Sequence, residues 1–260
     1  MSTLHRATKA EFKRGLRSAT FISQIIFVLI WMGMNVLPSL TNEKILHISC
    51  WQDLLSHATT NEYYFADLVL ILGTVSFSWS FLEDRESNFL RQILQRIQLR
   101  DYCLAKILTV SALSFLAAGA AILVFALLLQ FLPMASADNL LGFTNEYLPF
   151  VARGQSLLYL LSRCMLTGLS CSLAAVVALA ISAWINNLFV AVLFPFIFYQ
   201  FMGLVLSLIN RQNIFELYLF QRPLDDPLAS LAMASAGLLI GIALAGLCFY
   251  NGVVKERDSI

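Results

Sequence analysis

Charged residues are scarce in this chain, and their scarcity indicates the class of protein. Asp, Glu, Lys and Arg make up 13% of its 260 residues, and apolar residues make up 59%. A soluble domain has about 25% charged and about 45–50% apolar residues. All three histidines lie outside the long apolar runs, and residues 164–210 contain no charged side chain. The composition therefore predicts an all-α, polytopic integral membrane protein with a single domain over residues 1–260.

Sequence signatures of catalysis and of nucleotide binding are also missing. The phosphate-binding loop G-x-x-x-x-G-K-[ST] is absent, so any ATP and Mg²⁺ should bind a partner chain. Membrane proteases need a histidine or a metal cluster at membrane depth, and this sequence offers neither. Cys50 is the one cysteine in a predicted external segment, so no external disulfide is expected. We expect no enzyme, no cofactor or metal in this chain, and no nucleic-acid partner.

Six apolar segments are long enough to cross a membrane as helices. The charge-free run 164–210 is too long for one crossing, and Asn186-Asn187 near its middle predicts a tight turn between two spans. The second segment is the least apolar, with an uncharged part from Leu68 to Leu82. The six predicted spans lie near residues 19–38, 64–82, 105–132, 159–185, 188–209 and 228–251.

The distribution of Lys and Arg predicts the orientation of the chain. Twelve of the 17 lie in the N-terminal segment, between the second and third spans, or in the C-terminal tail. Cytoplasmic loops carry the excess of Lys and Arg. With six spans, both termini are therefore cytoplasmic, and the segments near 39–63, 133–158 and 210–227 are external.

The charged insert Glu83–Lys106 between the second and third spans is the most informative segment. Phe89, Ile93 and Ile97 recur at intervals of four, which predicts an amphipathic helix. One interpretation is a helix that rests on the inner leaflet, with Arg side chains on lipid phosphates. The other is a coupling helix that sits in a groove of a cytoplasmic partner. For that contact we predict Glu83, Asp84, Glu86, Phe89, Leu90, Arg91 and Leu94.

Three further features have two interpretations each. The stretch Ala7–Arg17 is either a positive patch that sets topology or an interfacial helix that contacts the same partner. Arg163, one turn inside the fourth span, can extend its side chain outward to the membrane surface. Asp67 lies near the outer end of the second span. We interpret both as interface anchors rather than substrate contacts.

With these features the chain resembles the permease subunits of bacterial ABC transporters of the type-2 membrane class. The resemblance covers the whole topology, which has a basic amphipathic start, six spans and both ends inside. The first-loop residues that match are Glu86, Leu90-Arg91-Gln92-Ile93-Leu94, Arg100, Tyr102 and Lys106. The chain departs from the pattern at Ser87-Asn88, where many members have glycine, and at Ile97-Gln98-Leu99, where many have proline.

The resemblance implies a mechanism. Two permease subunits, alike or different, pair around a central path in the bacterial inner membrane. Two ATPase subunits, which carry the ATP and Mg²⁺, dock beneath them and drive export through the coupling helices. Two other classes stay open. An intramembrane enzyme would act as a purified single chain without ATP. A membrane scaffold or sensor would tolerate changes at Phe89 and Leu94.

Overall fold

The structure of the protein, a computed structural model, is helical. It describes residues 3–41, 50–59, 65–75, 77–87, 92, 95, 97–132, 150–151, 153–209 and 226–258. These described residues contain nine principal helices and no strand. The helices are α1 Thr3–Leu16, α2 Ala19–Leu40, α3 Trp51–Thr59, α4 Phe65–Val75, α5 Ser80–Glu86, α6 Leu99–Gln130, α7 Ser156–Trp184, α8 Leu188–Leu208 and α9 Pro227–Asp258.

Five of these helices are long and apolar enough to cross a membrane. Among the described residues they are α2, α6, α7, α8 and α9. They match the first, third, fourth, fifth and sixth predicted spans, and the chain is a multi-pass membrane protein. The predicted turn at Asn186-Asn187 is confirmed, because α7 ends at Trp184 and α8 begins at Leu188. The Asn187 side chain caps α8 by accepting hydrogen bonds from the N–H groups of Phe189 and Val190.

The second predicted span is not one continuous helix. Helix α4 ends at Val75 and α5 begins at Ser80. Between them Phe77 has a φ of 62°, a left-handed conformation that is strained for a bulky side chain. Backbone carbonyls near the break find side-chain partners, as an apolar environment requires. Ser114 donates to the carbonyl of Gly73 at 2.8 Å, and Ser78 donates to the carbonyl of Thr74.

Helix α7 forms the centre of the bundle. It packs most extensively against α6 and α9, and also against α4 and α8. The approach to α4 is close, because a Cβ added at Gly73 would lie 2.9 Å from the Cα and the carbonyl oxygen of Cys171. Glycine at position 73 therefore allows α4 and α7 to touch through their backbones.

The N-terminal helix α1 lies along the first half of α6. It covers most of the stretch Ala7–Arg17, and Phe12 packs into an apolar cluster with Phe77, Tyr102 and Leu113. Gly15 makes the approach possible, since a Cβ there would overlap the side chain of Leu113. The chain then turns, and Ser18 caps α2 by accepting from the N–H of Thr20 at 3.3 Å.

The prediction for Arg163 is wrong. Its side chain does not reach the surface but is fully buried, and it donates to the carbonyl of Thr59 at 3.0 Å and to the Thr59 hydroxyl. Thr59 is the last residue of α3, whose terminal carbonyls lack partners within the helix. A cation at the C-terminus of a helix also interacts favourably with the partial negative charge of the helix dipole there. Arg163 therefore holds α3, a helix from the predicted external segment 39–63, against the bundle.

The described residues do not cover every prediction. The side chain of Asp67 and the segment 210–225 lie outside them.

Candidate functional site

A cluster of charged side chains lies where α1, α5 and the start of α6 meet. Its centre is Asp84 on α5, with 1% of its side chain exposed, and Lys106 on α6, with 0% exposed. Their oxygen and nitrogen, Oδ2 and Nζ, are 2.7 Å apart. We name as the Asp84 cluster these two residues and the four that bind them or each other: Glu11, Arg14, Glu83 and Tyr102.

Both oxygens of Asp84 accept hydrogen bonds. Oδ1 accepts from an Arg14 guanidinium nitrogen at 2.8 Å, and Oδ2 accepts from the Tyr102 hydroxyl at 2.9 Å as well as from Lys106. One carboxylate therefore joins three helices. A buried carboxylate is stable only with such partners, because an unpaired buried charge is strongly unfavourable.

Both cations in the cluster also bind a second carboxylate. Lys106 Nζ donates to Glu11 on α1 at 3.0 Å and to the Ser80 carbonyl at 3.4 Å. Arg14 donates to Glu83 at 2.8 Å. Three carboxylates and two cations thus alternate between the helices, so that each cation lies between two anions.

The aromatic side chain at the helix break lies against the same cations. The Arg14 guanidinium carbon is 5.5 Å, and the Lys106 Nζ 5.4 Å, from the centre of the Phe77 ring. Cations within about 6 Å of an aromatic face are attracted to its electrons. Phe77, the strained residue of the helix break, therefore lies against both cations of the Asp84 cluster.

Their partners in the cluster shift the pKa of Asp84 and the pKa of Arg14. Burial would raise the pKa of Asp84, but the charge of Lys106 and the hydrogen bonds from Lys106, Arg14 and Tyr102 outweigh it and hold this pKa below its ordinary value. Burial would lower the pKa of Arg14, and Asp84, Glu11 and Glu83 raise it above its ordinary value. Both groups are therefore charged at neutral pH, as the ion pairs require.

Helix α9 is attached to α5 next to the cluster. Arg85, next to Asp84, forms an ion pair with Glu256 of α9 at 2.9 Å between Nε and Oε1. Close by in the apolar core, the rings of Phe81 and Phe249 pack edge to face, with centres 5.3 Å apart. Helix α5 is thus tied to α1, α6 and α9 at once.

The structure places some of the predicted coupling residues in or near this cluster. Glu83 and Asp84 are members, and Glu86 is exposed at the end of α5. Because Asp84 is buried, it has no free surface with which to contact another protein. The remaining four, Phe89, Leu90, Arg91 and Leu94, lie outside the described residues.

Sequence reasoning missed the convergence of Glu11, Arg14, Tyr102 and Lys106. Each was visible only as part of a basic segment or of the first-loop pattern. One signal could have found the pairing: Glu11 is the single acid in the otherwise basic stretch 3–17. Arg100, which belongs to the same first-loop pattern, is exposed.

The described residues contain no metal centre. They hold no group of three or more His, Cys, Asp or Glu that could bind a metal ion. All five cysteines are free thiols. The Asp84 cluster consists of ion pairs and hydrogen bonds between α1, α5 and α6.

Loss of the Arg14 contacts is expected to loosen α1. Arg14→Gln removes the ion pairs to Asp84 and Glu83, and we expect trypsin to cleave after Lys9 and Lys13 about fivefold faster. The reason is that loss of a partly exposed ion pair lowers the free energy of local opening by about 1 kcal/mol. Mass spectrometry of the peptides released from the full chain measures the rate. Arg17→Gln is the matched control, since Arg17 is exposed and removes one arginine cleavage site in the same way. Equal rates in the two variants would contradict a fastening role for Arg14.

Comparison with known proteins does not assign the chain to a family. No family model, curated protein or solved structure matches it.

Proposed function

We propose that this chain is the membrane-spanning subunit of an ATP-driven exporter of the ABC type. In this proposal a separate ATPase subunit binds ATP and Mg²⁺, and a second permease subunit, alike or different, completes the path. The membrane is the bacterial inner membrane, and both termini are cytoplasmic. Helix α4 and the start of α5 together form the second of six crossings, near residues 64–82.

The observation that carries the proposal is the attachment of α5 to three other helices. A motor that pushes on the first cytoplasmic loop needs a rigid connection from the loop to the spans. Asp84 is bound to Arg14 of α1 and to Tyr102 and Lys106 of α6, and Arg85 is bound to Glu256 of α9. A displacement of the segment 88–96, which follows α5 directly, would therefore move α1, α6 and α9 with it.

The break in the second crossing supports the same proposal. Coupling by a hinge needs a position where two rigid helices can change their angle. The left-handed Phe77 between α4 and α5 is such a position. It divides the crossing into α4, which packs on α7, and α5, which belongs to the Asp84 cluster.

The test of partner contact is a charge placed on the apolar face of the predicted coupling helix. We expect Leu94→Glu to lower recovery of the ATPase subunit at least about tenfold, because an anchor residue contributes about 2 kcal/mol or more to such an interface. The measurement is co-purification from detergent-solubilised membranes of the native host, with mass spectrometry for a chain that bears a phosphate-binding loop.

The matched control is Gln95→Glu, which adds the same charge one residue later at an exposed position. It should recover the ATPase as the unaltered chain does. Equal recovery with Leu94→Glu would overturn the coupling helix. A purified single chain that completes a reaction without ATP would favour the intramembrane enzyme instead.

A further inference from the structure

An apolar groove, lined by none of the Asp84 cluster residues, runs between the helices of the bundle. Its volume is about 690 Å³, and it lies between α8 and α9 with α7 behind. Both α8 and α9 pack on α7. The α7 residues that line the groove include Ala174 and Val177, the α8 residues include Phe198 and Met202, and Gly241 belongs to α9.

Small residues on α9 leave space for the groove. Gly237, Gly241 and Ala245 recur every four residues and line it together. Small residues at this spacing leave one side of a helix almost flat. Across the groove Phe198 and Met202 project from α8, so the flat face of α9 lies opposite bulky side chains of α8.

The chemistry of the groove suits hydrocarbon. Apart from the Tyr199 hydroxyl and the Cys248 thiol, its lining side chains are aliphatic, aromatic or glycine. All of its lining residues but Leu70 belong to helices apolar and long enough to cross a membrane. The volume falls in the range of about 300–1,000 Å³ that small-molecule sites occupy. An occupant must therefore be an apolar chain, and any polar group that it carries must stay beyond the groove's end.

Two helical turns beyond one end of the groove, a cation lies against an aromatic ring. The Trp184 indole nitrogen donates to the carbonyl of Cys248, a groove residue, at 3.3 Å. The Lys255 ammonium lies 5.3 Å from the centre of the same indole ring. Lys255 is exposed and follows Cys248 by seven residues, which places both on one face of α9. A positive charge thus stands two helical turns from the groove, next to an amphipathic ring of the kind found at membrane surfaces.

We propose that this groove binds an acyl chain of an anionic phospholipid, with the lipid phosphate at Lys255. The apolar lining takes the hydrocarbon, and the exposed ammonium pairs with the headgroup. Charge complementarity at the end of the groove distinguishes this occupant from a neutral lipid and from an apolar helix. The site does not depend on an ATPase partner.

The test compares two lipids that share their acyl chains. Native mass spectrometry of the full chain in mild detergent, titrated with dioleoylphosphatidylglycerol or dioleoylphosphatidylcholine, gives the affinity of each. We expect one phosphatidylglycerol to bind at least about fivefold more tightly than phosphatidylcholine. Lys255→Gln should abolish this preference. Met202→Trp, which fills the groove with a large ring, should weaken the binding of both lipids.

Two controls make the same changes outside the site. Lys13→Gln removes an exposed cation from α1, and Leu204→Trp adds the same ring to α8 at an exposed position that does not line the groove. Both should bind lipid as the unaltered chain does. Lys255 lies on the surface, so its variant tests the site even if the Met202 variant fails to fold.

Three outcomes would overturn the site. Equal affinity for the two lipids in the unaltered chain would exclude headgroup recognition. Unchanged binding in Met202→Trp would place the lipid elsewhere. Maleimide labelling of Cys248 tests the third. This thiol is expected to react in lipid-free protein and to react more slowly when phosphatidylglycerol is bound. Protection without lipid, in a preparation that contains dimers, would show that a second copy of the chain covers the groove.

Discussion

Asp84→Asn is expected to lower the free energy of unfolding by about 3–5 kcal/mol. Removal of one partner from a buried ion pair leaves the other charge with less compensation, and such a change is strongly destabilising. Lys106, with no exposed side-chain area, would keep Glu11 as its remaining anion, and Arg14 and Tyr102 would lose the same carboxylate. Thermal unfolding in detergent, followed by tryptophan fluorescence, should show a midpoint about 10 °C lower.

A double variant separates the ion pair from general damage. Asp84→Asn combined with Lys106→Met removes both charges, so its loss should be smaller than the sum of the single losses by about 2 kcal/mol. Glu86→Gln is the matched control, because it neutralises an exposed carboxylate two residues along the same helix. Strictly additive losses, or a control as unstable as Asp84→Asn, would refute the central role of the pair.

Gly73→Ala is expected to separate α4 from α7 and to destabilise the chain by about 1–3 kcal/mol, the usual effect of overpacking. The added Cβ would lie 2.9 Å from two backbone atoms of Cys171, and backbone cannot rotate away as a side chain can. The buried thiol of Cys171 reports the separation directly. Maleimide should label it faster in the variant than in the unaltered chain, as resolved by peptide mass spectrometry.

Gly33→Ala is the control for the change of residue type. Position 33 is also in a helix, but a Cβ there would meet no atom within 4 Å. Alanine is the better helix former by about 1 kcal/mol, so this variant should be as stable as the unaltered chain or slightly more stable. If Gly73→Ala behaved in the same way and left Cys171 protected, the close contact of α4 with α7 would be refuted.

The positions of the long helices followed from hydropathy alone, whereas the break in the second span did not. Runs of apolar residues located α2, α6, α7, α8 and α9, and the paired asparagines located the turn after α7. The break after Val75 contains neither proline nor glycine, and part of its stabilisation comes from outside the segment. Hydroxyl groups of Ser78 and of the distant Ser114 stabilise the carbonyls of Thr74 and Gly73, and such partners cannot be recognised from local pattern.

The candidate site was predicted only in part because its partners are far apart in sequence. Glu83 and Asp84 were identified from their place in the first loop. Their cation Arg14 lies about 70 residues earlier, and no periodicity connects the two segments. Arg163 shows the same difficulty, since its burial depends on α3, which is 104 residues away at Thr59. Without that helix, an arginine near the end of a span is expected to extend its side chain to the aqueous interface.

The order of residues in the Asp84 cluster bears on how the chain is assembled during synthesis. All six members lie within the first 106 residues, so the ribosome delivers the whole set before α7, α8 and α9 exist. Their mutual neutralisation can stabilise the early part of the protein before the later helices are added. The Arg85–Glu256 pair can form only after α9 has been synthesised, and it joins this later helix to the part of the chain that carries the cluster.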